Sequence, residues 1–277
     1  MKILIRGAGD IATGIALRLY RAGMQVVMTD LPAPTAIRRT VCFSQAIILG
    51  EMTVEDVTAR RAETPDQAEA LLAQGLIPVL ADPDCTCRTR LRPDALVDAI
   101  LAKRNLGTKI DDAPIVVGIG PGFTAGEDCH AVVETMRGHT LGRVIYRGSA
   151  LPNTNIPGLI GGYAGERVLR APAEGIFCQK LEIGAVVRAG DVAGEVAGQP
   201  MKCTIDGVLR GILADGTPVF RGMKAGDVDP RCKPEYCTTP SDKALAVGGG
   251  VLEAVLHLHH RNRPAEKQSQ FTGGALL

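Results

Sequence analysis

A chain of 277 residues with 45% hydrophobic content can bury a sizeable core, and at this length two modest domains are expected rather than one. Its 31 Lys and Arg against 30 Asp and Glu leave a net charge of +1, and aromatic residues make up 3% with no Trp. No global field and few stacking surfaces are then available, which excludes a polynucleotide or an anionic membrane as the main partner.

The first elements are the clearest. Lys2 to Arg6 is a short apolar run, too short for the core of a secretory leader. It is followed by Gly7-Ala8-Gly9-Asp10 and by Ile11, Ile15 and Leu19 at helical spacing, which reads as strand, tight turn and helix. "MQVVMTD" then runs apolar to Asp30, as a buried parallel strand does. Further strands are expected at Thr53 to Thr58, at "LIPVLAD" and at "PIVVGIG", with helices over Pro65 to Gln74 and Pro93 to Lys103. Alternating strands and helices predict an α/β fold, a Rossmann-like doubly wound parallel sheet, for residues 1–150. "HAVVETM" and "RVIYRG" predict a hairpin on its edge.

Residues 151–167 are rich in Gly, Pro and Asn and read as a linker or covering loop. Residues 168–230 change to short strands punctuated by glycine. Two halves echo each other, each closing on an Ala-Gly-Asp-Val turn, and this pattern resembles the barrel-sandwich hybrid of biotinyl and lipoyl domains. Residues 231–262 hold a cysteine-containing loop and a helix capped by Ser241 and interrupted or kinked at Gly248 to Gly250, and residues 263–277 read as a flexible tail. With no run long enough to span a bilayer, a soluble cytoplasmic protein is expected, its eight cysteines reduced thiols rather than a disulfide scaffold.

The sharpest chemical signal is Gly7-x-Gly9-x-x-Ala12 between a strand and a helix, trailed by Asp30 at the end of the second strand. Gly7 allows the turn, Gly9 lets backbone N–H groups of Gly7, Ala8, Gly9, Asp10 and Ile11 approach a ligand phosphate, and Asp30 can accept from a ribose hydroxyl. Arg38 and Arg39 follow closely enough to meet an anionic tail, although arginines there are more often a solvated face. The second glycine stretch, Gly120-Pro121-Gly122 with Thr124, leaves the sheet before a hairpin rather than a helix. It is expected to form the opposite rim of the same crevice, with Asp128 and His130 the nearest polar groups.

The thiols and histidines are weaker signals. Cys85 and Cys87 sit just beyond a strand, but no second pair completes a zinc site, and inert loop thiols are favoured. Cys232 and Cys237 are equally incomplete and are not expected in the core. Cys129 and His130 are neighbours on a strand and point to opposite faces, which argues against a dyad. His257, His259 and His260 read as an exposed helix end. Met201-Lys202-Cys203 is placed on a strand rather than at a hairpin tip, so no biotin or lipoate is expected on Lys202.

Several segments together, "IRGAGDIATGIALRLYRAG", "GIGPGFTAGEDCHAVVETMRGHTLGRVIYRGSALPNTN" and "SDKALAVGGGVLEA" among them, resemble the YqeB-type accessory proteins of selenium-dependent molybdenum hydroxylase systems. The N-terminal loop is also similar to that of xanthine dehydrogenase accessory factors. The resemblance implies a maturation role in the cytoplasm, with a molybdenum hydroxylase or its cofactor as partner and molybdopterin dinucleotide or NAD(P) as the candidate ligand. It supplies no catalytic residues and no resident metal, and assembly into a homo-oligomer stays open. The rival reading is an NAD(P)-dependent oxidoreductase built on the same loop, with His130 or Asp128 as its acid or base.

Overall fold

A computed structural model describes residues 1–262; the tail expected at 263–277 lies outside them. The chain runs from β1 (Lys2–Arg6) through α1 (Asp10–Arg21) to β2 (Gln25–Asp30), then α2 (Gln45–Leu49) and the hairpin of β3 (Glu51–Val54) and β4 (Val57–Ala62). Next come α3 (Pro65–Ala73), β5 (Ile77–Ala81), the single turn α4 (Arg88–Leu91), β6 (Ala95–Asp98) and β7 (Val116–Ile119). Four short strands close this part: β8 (Thr124–Ala125), β9 (Ala131–Val133), β10 (Val144–Ile145) and β11 (Gly148–Ser149).

Nine of these strands form one sheet in the order β10-β9-β7-β6-β1-β2-β5-β4-β3. It is mixed: β10 and β3 run antiparallel to their neighbours at the two edges, and the strands between them are parallel. β8 and β11 make a separate ribbon.

The expected Rossmann-like doubly wound sheet with an appended barrel-sandwich hybrid is not what the chain forms. A doubly wound sheet needs a helical crossover between successive parallel strands. The connections from β6 to β7 and from β7 to β9 contain no helix, and both edges close with antiparallel hairpins. The face left open above β7, β9 and β10 is covered by α5 (Asp242–Arg261), which arrives from the far end of the chain.

Three local expectations also change. Thr53 to Thr58 is two strands meeting at Glu55, whose φ of 55° makes the turn. The helix expected over Pro93 to Lys103 is β6. Ala95 and Val97 face one side with Ile3 and Ile5 while Leu96 faces the other with Leu4, an alternation that a short continuous apolar run conceals. Gly248 to Gly250 do not interrupt α5, which is continuous.

Those glycines let α5 lie tightly against α1 and against the loop before β10. A Cβ on Gly248 would sit 2.8 Å from the Gly14 carbonyl oxygen, one on Gly14 would meet Ala244 at 2.6 Å, and one on Gly250 would overlap the Gly142 carbonyl. Gly14 against Ala244 and Gly248 against Gly14 and Arg18 mean that the two helices run in the same direction. Each buried Ile or Leu of α1 contributes about 1.5–3 kcal/mol to this layer.

The rest of the chain supplies β12 (Val168–Arg170), β13 (Gly175–Gln179), β14 (Val186–Val187), β15 (Val192–Val196), β16 (Gln199–Lys202), β17 (Gly207–Ile212), β18 (Pro218–Val219) and β19 (Lys224–Asp229). They form two four-stranded antiparallel sheets, β12-β19-β17-β14 and β16-β15-β13-β18, around a core centred on Phe177, Leu209 and Val228. No ladder joins the two sheets, and their core is not self-contained. Ile37 packs into it, the Ile212 N–H donates to the Ile37 carbonyl at 2.8 Å, and Arg39 donates to the Ile212 carbonyl at 3.0 Å. Arg210 and Arg167 both bind the buried Asp227 carboxylate, pairing charges that could not be buried singly.

Two measurements test this account of α5. Gly249 is exposed with no atom near its absent Cβ, so Gly249→Ala should stabilise by about 1 kcal/mol through helix propensity, whereas Gly250→Ala should cost about 1–3 kcal/mol by overpacking. Midpoints of urea unfolding read both signs. At the start of α5, Arg137 holds Asp242 in two bonds of 2.6 and 2.7 Å and pulls its carboxyl down to about 2. A folded-state value below the unfolded one gives stability that is full above about pH 4 and lost as pH falls toward 2. Because the pair is largely exposed, Arg137→Gln should remove less than about 1 kcal/mol of it, seen as a flatter acid limb in the unfolding curve.

Candidate functional site

At the end of β1 the backbone must turn between β2 and β6, and Gly7 makes that turn with φ of 104°. Its N–H donates to the Thr29 carbonyl at 2.8 Å, and a Cβ there would lie 2.8 Å from the Ala99 carbonyl oxygen. Ala8, fully buried, donates its N–H to Asp30 Oδ2 at 2.7 Å, while Asp30 Oδ1 accepts from the Leu31 N–H at 2.7 Å. Gly9 is the cap of α1 in ordinary extended conformation (φ −70°, ψ −173°), and no atom lies within 4 Å of where its Cβ would be. Asp10 follows, with Oδ1 on the Ile11 N–H at 2.9 Å and Oδ2 3.4 Å from Arg38.

This loop forms one side of a cleft of about 520 Å³ at the carboxyl ends of β1, β2, β5 and β6. Gly7, Gly9, Asp10, Ile11, Ala12 and Asp30 line it, and Ile100, Leu101 and Leu106 make an apolar wall. β1 has β2 on one side and β6 on the other, so the chain reverses direction across the sheet here, and that is where open parallel sheets hold ligands. Burial holds the Asp30 carboxyl above its ordinary value, with the Ala8 and Leu31 N–H groups working against that shift. Asp30 is therefore a desolvated acceptor with two backbone donors already on it.

Beneath the cleft lies a polar network that no sequence motif marks. The buried Arg6 guanidinium donates to the Pro83 carbonyl (3.2 Å), the Leu106 carbonyl (3.2 Å) and Thr108 Oγ1 (3.0 Å), and pairs with Asp98 at 3.5 Å. Thr108 in turn donates to Asp98 at 2.6 Å. The only sequence signal was a charged residue inside an apolar strand. Arg6 also borders a second, smaller cavity of about 140 Å³ shared with Cys85, Arg88 and Thr108.

The two glycine loops are not brought together. Residues 100–106 stand between them, and Gly120, Pro121, Gly122 and Thr124 do not line the cleft. Gly122 makes room for the Arg104 backbone, 2.6 Å from its absent Cβ, and Gly120 for Thr135 Oγ1 at 2.6 Å. The Thr124 N–H donates to Asp128 at 2.8 Å, and Asp128 also accepts from Asn105 at 3.2 Å. His130 accepts the Val116 N–H on Nδ1 at 3.0 Å, and burial lowers its pKa. Both polar groups of the rim are thus committed to holding backbone. Cys129 is buried on the opposite face with its thiol pushed up to about 11, so no dyad forms.

Arg38 is buried, bonded to the Tyr236 and Thr239 carbonyls at 2.9 and 3.1 Å, and Arg39 reaches Gln179 at 2.8 Å; neither is a solvated face or a free anion grip. Cys237 is buried, contrary to expectation, while Cys232 is exposed. Lys202 ends β16. The His257 ring lies 4.7 Å from that of Tyr146, tilted by 45°. Among the described residues no three of His, Cys, Asp and Glu converge to hold a metal ion, and no helix is long and apolar enough to cross a membrane.

No family model matches the chain. It is 52% identical over 266 residues to the protein YqeB of Escherichia coli (strain K12), a stretch that is 96% of this chain and 49% of that protein. The chain thus spans about half the length of this curated relative. Solved structures with local likeness include a succinylglutamate desuccinylase/aspartoacylase from Rhodobacter sphaeroides (26% identity, 23% of this chain and 22% of that one, TM-score 0.20). An aspartoacylase family protein from Mesorhizobium loti covers more (13% identity, 53% of this chain and 60% of that one, TM-score 0.23). At such scores neither likeness carries an argument about fold or chemistry.

The two loop glycines should separate on substitution. Gly7→Ala places a Cβ at positive φ against the Ala99 carbonyl and should cost about 2 kcal/mol or more. Gly9→Ala adds a methyl to open space in an allowed conformation and loses only the preference of a helix cap for glycine over alanine, so it should cost about 1 kcal/mol or less.

Proposed function

On the premise that the chain is YqeB-type in sequence over 96% of its length, we propose that the cleft binds a nucleotide during maturation of a molybdenum hydroxylase. The ligand is either a free nucleotide or the nucleotide end of a molybdopterin dinucleotide cofactor. The observation that carries this reading is Gly9. Its conformation is open to any residue and its surroundings are empty, so packing gives no reason for a glycine there, whereas a ligand backed against the start of α1 does.

The carboxylates decide the ligand's orientation. The Ala8 and Ile11 N–H groups are already bonded to Asp30 and Asp10, so a phosphate pressed on those two positions would meet negative charge. A sugar diol, which donates, suits Asp30, and the phosphate belongs above Gly9, where the first turn of α1 presents its remaining donors. The apolar wall of Ile100, Leu101 and Leu106 suits a base or pterin ring. The oxidoreductase alternative finds no support in the site, because His130 and Asp128 serve the backbone of another loop.

Thermal shift and native mass spectrometry with NAD, NADP, CTP, CDP and ATP test the proposal. At least one class should bind. Gly9→Val should abolish that binding without unfolding the chain. Asp30→Asn, which keeps an acceptor for the Ala8 N–H, should weaken binding about tenfold to a hundredfold, the worth of a hydrogen bond to a charged group. Silence across all five nucleotides would overturn the reading.

A further inference from the structure

Residues 82–87 fold into a tight turn after β5. The Asp82 carbonyl accepts the Cys85 N–H at 3.1 Å, and the Asp82 carboxylate accepts the Cys87 N–H at 2.8 Å and the Thr86 hydroxyl at 3.1 Å. Cys85, at the crest, takes the left-handed φ of 57°. Both side chains are buried, and they lie close enough that each is the leading influence on the other's acidity.

The surroundings single out Cys85. It lines the cavity of about 140 Å³ together with the guanidinium groups of Arg6 and Arg88, and Arg88 is locked over it by a bond to the Cys85 carbonyl at 3.0 Å. Thr29 is fully buried with its Oγ1 lacking a hydrogen-bond partner, and its influence on Cys85 is to lower the thiol. The two sulfurs are driven apart in acidity. Donation from Cys87 leads the causes that lower the Cys85 thiol, against burial, while the same bond and burial raise the Cys87 thiol. A buried inert thiol behaves like Cys129, whose shift is upward.

We propose that Cys85 and Cys87 form a peroxide-reactive dithiol, Cys85 the attacking sulfur and Cys87 the resolving one. Burial sets the class of oxidant: with Cys85 and Cys87 at 2% and 5% exposure, a disulfide cannot be approached in line by either sulfur, whereas hydrogen peroxide is small enough to enter the space of about 140 Å³ that Cys85 lines. In the first step the Cys85 thiolate attacks a peroxide oxygen, the O–O bond breaks, and hydroxide leaves to take up a proton as water. In the second the Cys87 thiol gives up its proton, its sulfur displaces hydroxide from the Cys85 sulfenic acid, and a second water forms. Two thiols and one hydrogen peroxide thus become one disulfide and two waters.

Reduced full-length chain treated with substoichiometric hydrogen peroxide, followed by thiol blocking and peptide mapping, tests the assignment. The peptide carrying Cys85 and Cys87 should lose two hydrogens about tenfold faster than the exposed Cys178 and Cys232 are oxidised. In Cys87→Ser the sulfenic acid has no resolving thiol, so the peptide carrying Cys85 should gain one oxygen by mass, captured by dimedone when the chain is unfolded in its presence; in Cys85→Ser, Cys87 should remain unmodified. Oxidation of Cys178 and Cys232 ahead of an intact Cys85–Cys87 pair overturns the proposal, as does a folded Cys87→Ser whose Cys85 gains no oxygen. Should that variant not fold, the order of oxidation in the unsubstituted chain decides alone.

Discussion

Everything around the cleft depends on one buried cation. Arg6 ends the central strand, and its guanidinium ties the irregular turn after β5 and the loop at 106–108 to Asp98, the last residue of β6. Asp98 supplies the opposite charge, and burial tends to raise its carboxyl while Thr108, Ile100 and Arg6 work to keep it ionised. Removing either partner would leave a buried charge uncompensated, a cost of several kcal/mol. Arg6 touches both cavities, so one residue sets the shape of the cleft and the polarity beside Cys85.

A glycine loop at the end of a parallel strand is commonly thought of as a cradle for phosphate. Here two carboxylates reach the loop first and take up part of its donors, so on the proposed reading a nucleotide would be chosen by its sugar and ring more than by its charge. That division of labour explains the contrast between the two glycines. Gly7 is required by the backbone whatever binds, whereas at Gly9, a helix cap in extended conformation, no contact in the fold excludes a side chain.

Much of the first hundred residues could be read directly, because strand, turn and helix there follow each other with local periodicity: β1, α1, β2, α3 and β5 fall close to their expected places. The first glycine loop and Asp30 do line one cleft. What could not be read has two physical sources. An apolar run such as Ala95–Asp98 carries no period when both faces are buried, and the sheet's architecture depends on α5, whose position over β7, β9 and β10 leaves no local trace. For the same reason the second glycine stretch was misplaced: the segment after β6, invisible as a wall in sequence, fills the space across which the two loops were expected to face each other. Arg6 lies 92 positions before Asp98 and meets it, and the nearby Thr108, only because β1 pairs with β6.

The parallel contact of α1 with α5 also bears on how the chain comes to be folded. Gly14 and Ala244 are 230 positions apart (244 − 14), and the apolar side of α1 facing α5 stays uncovered until those late residues are present. A ribosome emitting this chain releases the sheet long before its lid, at a pace of seconds per few dozen residues. The nascent protein therefore spends that interval with a sticky helix exposed, and its vulnerability to aggregation or to capture by chaperones is set by the translation of the last helix rather than by the stability of the finished molecule.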